Sequence, residues 1–584
     1  MLEEGFAYHN MCGQSEWRMQ RTDHSYLGLF VDFDSVLAKR INDRYIYGDP
    51  LAGLPLKQVQ HWIRKCSEKH EKCFEHPTNL PTRVIDVRTA RLKLLDPSPS
   101  GAHQYAALSH CWGTCRDFLT TRENLKERTS GFELTDLPAT FRDAVTTARV
   151  LSIPYLWIDS VCILQGDKDD WEIEGSKMAD VYSNATLCIG ASDANDDAEG
   201  FLRQRKRIPT LDVNIIFTLP TPGRTQLTAR LYTQLPLKRP GLHEQYPALH
   251  NRAWCLQERY LSPRILFFDR DNMHWECLED VWSEAGRRLS KHRQMLPDVM
   301  PKIDTAGSLS HAPWYNMIRE YTTRAISFST DKLPAVSALA LRVAQETGDE
   351  YRAGLWKSDL LRGLLWYRVV RYNFRARESA APWDPNQQRP RSFIAPTWSW
   401  ASYLGAVDFL GIESSLHVLP SAKLVHSSVV TPGKNQFGEV ESGYTTILSP
   451  LLTFEEQPFT FDTANERKYG WTHDSLVSRD TETDEVIITS CFDYPNEVRQ
   501  GWLLGIPLVY RNVADRQHDP ENREGSAHET SEQPWLNVSG ILIMEKRGNE
   551  KVYERVGCFS IEPVQLDPFL NFLRDLWVQE TQIV

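Results

Sequence analysis

At 584 residues the chain is too long for one ordinary core, so two or three domains are expected. With 41% hydrophobic and 24% charged residues it reads as soluble and globular. A formal net charge of −11 argues against a nucleic-acid coat or an anionic membrane surface as the main partner, which leaves small molecules and other proteins.

The opening MLEEGFAYHN is acidic and lacks an apolar segment, so no secretory signal is expected, and no apolar run approaches the ~18 residues of a membrane span. Eleven cysteines, an odd number scattered along the chain, fit reduced thiols in a cytoplasmic protein better than a disulfide framework. Residues 1–96 form a mixed lead-in whose PTRVIDVRTARLKLLD predicts a hairpin, closed by the turn-rich PSPSGA at 97–102.

An alternating pattern follows. YAALSHCW (105–112) predicts a strand, and LPATFRDAVTTARVL a helix with Phe141, Ala144, Val145 and Ala148 on one face and Asp136 as a cap. YLWIDSVCI (155–163) predicts a second buried strand. DWEIEGSKMADVYSNA then predicts a helix with Trp171, Met178, Val181 and Tyr182 inward, and TLCIGAS (186–192) a third strand. After an insertion at 193–250, NRAWCLQERYLS predicts a further helix and RILFFDR (264–270) a further strand. Strand and helix alternating at this spacing predict an α/β fold, a parallel sheet with helices on its faces. Function in such sheets sits at the carboxyl ends of the strands, here SHCWGT, CILQGDKDD and the residues around 192–200.

Beyond about residue 285 the character is α+β. WYNMIREYTTRAISFSTDKLPAVSALALRVAQE predicts helix in two pieces, while APTWSWASYLGAVDF and GWLLGIPLVY predict strands. The polar stretch 511–534 predicts a mobile loop, and WLNVSGILIMEK with YERVGCFSI a terminal hairpin.

Within NRAWCLQER the helical arc of Ala253, Trp254, Leu256, Tyr260 and Leu261 encloses Gln257 and has Glu258 at its edge. A buried amide must find partners, so Gln257 reads as a tie to strand backbone. Glu258 is open to two readings, half of an ion pair with Arg252 or Arg264, or a desolvated functional carboxylate.

YAALSHCWG, LPATFRDAV, YLWIDSVCILQGDKDDW, MADVYSNATLCIGAS and NRAWCLQERYLSPRILFF, in this order over roughly 105–270, resemble the fungal heterokaryon-incompatibility (HET) domain. HWECLED, DKLPAVSALA, GLWKSDLLRGLLWY and PTWSWAS resemble segments that often follow it. The resemblance implies a HET domain at 97–285 and a C-terminal regulatory or recognition region at 286–584. It also implies non-self recognition and programmed cell death, protein partners in that signalling, and neither a nucleic-acid nor a membrane partner. HET domains are in turn similar to the Toll/interleukin-receptor (TIR) fold, many members of which cleave NAD. ALSHCWG resembles the first TIR box, and WCLQER the helix segment that carries the catalytic glutamate of plant TIR domains.

By that likeness Glu258 is the candidate catalytic residue, and Ser109, His110, Trp112, Gly113, Asp159 and Trp254 are candidates for holding substrate. NAD would be a substrate here and not a redox cofactor, since no Gly-x-Gly-x-x-Gly fingerprint, Walker A sequence or His-Glu-x-x-His motif occurs. Its nicotinamide is a cationic leaving group that needs no general acid, so one carboxylate suffices to stabilise the oxocarbenium-like charge. The alternatives left open are a non-enzymatic, self-associating scaffold of the same fold, or an accessory protein of another fungal pathway. For Trp112, Trp157 and Trp254 a plain core role is favoured over that of a ligand wall.

Two cysteine arrangements complete the inventory. Among His110, Cys111 and Cys115 a Cys-His nucleophile is disfavoured, because adjacent His110 and Cys111 point to opposite faces of a strand. Cys66, His70, Cys73 and His76 have a spacing that could wrap a zinc, yet Cys66, His70 and Cys73 also form one helical stripe where thiols pack well. No metal is assigned to the candidate catalytic site.

Overall fold

A computed structural model of the chain divides into two compact units, residues 1–295 and 296–584. It describes residues 6–11, 14–20, 26–35, 38, 43–73, 79–114, 116–205, 210–218, 226–234 and 248–286 of the first. Of the second it describes 299–303, 309–369, 389–390, 392–410, 416–454, 460–461, 474–478, 486–494, 503–512, 535–546, 551–565, 576 and 578–584.

The first unit is built on an eight-stranded mixed sheet. Helix α1 (Leu54–Lys69) precedes the hairpin β1 (Val84–Asp86) and β2 (Lys93–Leu95), then β3 (Tyr105–Ser109). Helix α2 (Ala139–Val150), β4 (Tyr155–Trp157), the short α3 (Asp159–Cys162), α4 (Lys168–Asn184) and β5 (Leu187–Gly190) follow. After the insertion come α5 (Ala253–Leu261), β6 (Arg264–Phe268), β7 (Met273–Cys277) and β8 (Val281–Ser283).

The sheet order is β8-β7-β6-β5-β3-β4-β1-β2. Its four central strands are parallel, with Ala107 paired to both Trp157 and Cys188, and Leu266 to Ile189. The edges are antiparallel, so the sheet expected to be parallel is mixed. Every residue of β3, β4, β5 and β6 is buried, as continuous apolar runs in a two-sided parallel core require. In chain order the parallel strands run 2-1-3-4 across the sheet. Right-handed crossovers then put α2 on one face and α4 with α5 on the other. Accordingly α4 and α5 pack together, Trp171 meeting Trp254 edge-on at 6.0 Å.

Local chemistry corrects three expectations. The apolar run at 155–163 is not one strand, because the Asp159 side chain accepts from Ser160 N at 2.7 Å and turns the chain into α3. Asp136 does not cap α2, which begins after Pro138; it accepts from Glu133 N at 2.8 Å in a turn of its own. Trp171 is 42% exposed instead of inward, while Met178, Val181 and Tyr182 are buried as expected.

A five-stranded antiparallel sheet joins Phe6–Met11, Gln14–Gln20 and Tyr26–Phe30 to Gln226–Gln234 and Thr210–Thr218 of the insertion. In the second unit α6 (Ala312–Tyr321) and α7 (Pro334–Thr347) are the two expected helical pieces. Leu503–Asn512 is a strand, and Trp535–Glu545 with Val552–Gln565 the expected hairpin. The 395–409 stretch is mostly turn, with only Val407–Phe409 extended. Of the 511–534 stretch, everything after Asn512 lies outside the described residues. No helix among the described residues is long and apolar enough to cross a membrane.

Candidate functional site

After β3 the chain moves to β4 on one side and then returns past β3 to β5 on the other. The carboxyl end of β3 is therefore a topological switch point, where open α/β sheets leave a crevice. Five of the candidates come from the loops and strand ends at this place, Ser109, His110, Trp112 and Gly113 after β3, and Asp159 after β4.

Glu258 reaches the same end of the sheet from α5. It is 5% exposed, and its Oε2 accepts a hydrogen bond from the Ser109 hydroxyl. It thus lies deeper than the helix edge suggested, because α5 is covered by both the sheet and α4. Burial pushes its pKa up to about 7, with Asp159 adding to the rise and the Ser109 hydroxyl and Arg252 opposing it. Of the two arginines expected beside it, Arg252 acts on Glu258 electrostatically. Arg252 donates to His110 O at 2.6 Å, and Arg264 points to Cys66 and to the carbonyls of Cys73 and Thr186.

His110 is fully enclosed, with Phe141 of α2 edge-on at 5.3 Å. Its Nε2 lies 3.2 Å from Asp197 Oδ1 and 3.9 Å from Asp159 Oδ1. Desolvation drives the pair to neutrality from both sides, His110 down to about 4 and Asp197 up to about 8. Burial thus disfavours the charged form of both partners. Neither His110 Nε2 nor Asp197 Oδ1 has a hydrogen-bond partner of good geometry among the described residues.

Trp112 donates from Nε1 to Asp159 Oδ2 at 2.8 Å and carries Arg116 over its ring at 4.9 Å, so one face is stacked by a cation. Gly113 has φ +58, and a Cβ there would sit 2.2 Å from Asp196 Oδ2. What approaches its backbone is the Asp196 carboxylate, which also accepts from Thr114 N at 2.7 Å. Trp254 is half-buried against Trp171, on the α4 side of the helix, and Trp157 is 1% exposed against Tyr182. Gln257 is 2% exposed. Burial pushes the Cys111 thiol up to about 11, unsuited to a nucleophile, and Cys115 lies outside the described residues.

Reading the sequence missed Asp196 and Asp197 as individuals. Their signal is the Asn-Asp-Asp run at 195–197, directly after the third strand. A cavity of about 10 Å³, room for about one water, adjoins Ser109 and is lined further by Leu249, His250, Cys255, Arg259 and Phe267.

The elements that build this end of the sheet, from the first residue of β3 to Glu258 itself, are those a family comparison recovers. Residues 105–258 match the family model described as Heterokaryon incompatibility protein (HET). No curated protein and no solved structure matches the chain. The match supports a heterokaryon-incompatibility-type function.

Proposed function

We propose that the chain acts in fungal incompatibility-type cell death as an NAD glycohydrolase of TIR-like fold, with Glu258 as its catalytic carboxylate. The observation that carries this reading is a buried, pKa-raised glutamate hydrogen-bonded by Ser109 at the switch point of the sheet. The 2-1-3-4 order of the parallel strands is that of flavodoxin-like sheets and supports the TIR likeness.

In the reaction the bond between ribose C1′ and the pyridinium nitrogen breaks, its electron pair leaves with nicotinamide, and water adds at C1′ with loss of a proton. Ionised Glu258 faces the positive charge that develops on the ribose, and low dielectric strengthens its field. Ser109 holds the carboxylate in one orientation. His110 and Asp197, whose charged forms burial disfavours, offer polar contacts to the ribose or pyrophosphate once the site opens. The protein works in the cytoplasm with protein partners of the incompatibility response, and without nucleic acid or membrane.

The small cavity beside Ser109 admits no nicotinamide, so the reading includes an opening of the site. The same closure favours a second reading, in which the domain is a non-enzymatic, self-associating scaffold and Glu258 only a buried strut. Expression of the full chain and of Glu258→Ala and Glu258→Gln in a fungal host, with cellular NAD and viability followed together, separates the two. Loss of both NAD depletion and death in the variants supports catalysis. Death that persists at constant NAD supports the scaffold.

A further inference from the structure

Away from the crevice, the end of α1 and the β7–β8 hairpin bring four ligating side chains together. Cys66 lies on the last turn of α1, His70 follows the helix end, Cys73 closes the next turn, and Cys277 is the last residue of β7. All four are buried, and their ligand atoms lie within 4.8 Å of one another. The fourth donor is thus Cys277, some two hundred residues on, while His76 of the sequence spacing lies outside the described residues.

We propose that Cys66, His70, Cys73 and Cys277 bind one zinc ion, which fastens α1 to the edge of the HET sheet. Three thiolates and one imidazole are a usual structural zinc set. With Zn–S bonds of about 2.3 Å, the edges of a zinc tetrahedron are roughly 3.5 to 3.8 Å long. Cys277 Sγ already lies 3.4 Å from His70 Nδ1, so the remaining donors need to close by only about 1 Å.

The surroundings are those of a metal site more than of a packed thiol stripe. His70 turns Nδ1 to the cluster and Nε2 to Asp280 Oδ2 at 3.2 Å, and Asp280 is held in turn by Lys65 Nζ at 3.0 Å. A carboxylate behind a ligating histidine fixes its tautomer and orientation. Asp280 N donates to Cys277 Sγ at 3.3 Å, stabilising a thiolate. Buried Arg264 brings Nε to 3.2 Å from Cys66 Sγ and offsets the net negative charge that three thiolates leave around Zn²⁺. Plain thiol packing requires neither the carboxylate nor the guanidinium.

The site joins segments that pack on each other by other means as well. Gln58 Nε2 donates to Glu284 O at 3.0 Å, Trp62 and Trp275 lie 6.5 Å apart, and Lys65 sits 4.6 Å over the Trp282 ring. A zinc here would lock an existing contact.

The test is elemental analysis of the full chain purified without chelator, beside Cys277→Ser and His76→Ala. Expected are one zinc per chain in the wild type, its loss in Cys277→Ser and its retention in His76→Ala. Because Cys277→Ser can fail for lack of folding, the wild type is also reconstituted with Co²⁺. A thiolate-to-cobalt charge-transfer band with intense tetrahedral visible bands is expected. Zinc that stays in Cys277→Ser but leaves with His76→Ala overturns the assignment. So does a folded wild type that takes up neither Zn²⁺ nor Co²⁺ with its thiols reduced.

Discussion

The Ser109 hydroxyl, on the last residue of a central parallel strand, donates to the Glu258 carboxylate of the helix that follows the insertion. This one bond ties the two ends of the matched segment 105–258 and places an ionisable group at the carboxyl end of the central strands. Its loss in Ser109→Ala removes a donor that favours the ionised form, so the Glu258 pKa rises by about one unit. Under the catalytic reading the pH profile of NAD cleavage moves to higher pH by the same amount, with cleavage at high pH largely kept. A profile that stays in place contradicts the coupling.

The same carboxylate makes stability pH-dependent. Its folded-state pKa, about 7, lies above the ordinary 4.5, so the folded chain holds the proton that the unfolded chain releases between those values. Stability from this group is therefore full below about pH 4.5 and is lost as pH rises through about 7. The loss is about 3 kcal/mol at most. Glu258→Gln is expected to remove this group's share of the slope, so that denaturant midpoints of the variant fall less than those of the wild type between pH 5 and pH 8, while the contributions of His110 and Asp197 remain.

Gly113 is held at positive φ with Asp196 against it, and even the Asp196 Cα lies 2.7 Å from where a Cβ would stand. Backbone must move to admit a methyl group. Gly113→Ala is expected to cost about 2 kcal/mol or more and to loosen the loop that carries Trp112. Thermal unfolding and tryptophan fluorescence measure the two effects.

Much of the α/β unit was legible because buried strands are short apolar runs and their helices show a clean 3.6 period, as in the Phe141, Ala144, Val145 and Ala148 face. What failed was local competition and tertiary cover. One short hydrogen bond from Ser160 N to the Asp159 carboxylate outweighed the apolar pattern of 155–163. The arc drawn on α5 assumed one buried face, whereas sheet and α4 bury both sides, so Glu258 is sealed and Trp254 is left half-exposed. The cluster around Cys66 needed Cys277, and periodicity carries no information across that separation. Of the candidate site, the strand-end residues were readable by position, while Asp197 required the fold to bring it to His110.

In the second unit Arg555 is fully buried. It pairs with Asp493, donates to Trp366 O and lies 3.6 Å over the Trp366 ring. Removing one partner strands the other charge in the core, so Asp493→Ala is expected to destabilise this unit by about 3–5 kcal/mol. Asp493→Asn, which keeps an acceptor, is expected to cost less. Calorimetry of the full chain resolves the two.

Under the proposed function Glu258 is the carboxylate on which NAD cleavage depends. The most direct measurement is nicotinamide and ADP-ribose release by the concentrated full-length protein at pH values below and above about 7, in wild type and Glu258→Gln. Expected is release by the wild type that rises as Glu258 ionises and is absent in the variant. Equal release in both, or none in a wild type that is folded and self-associated, contradicts it.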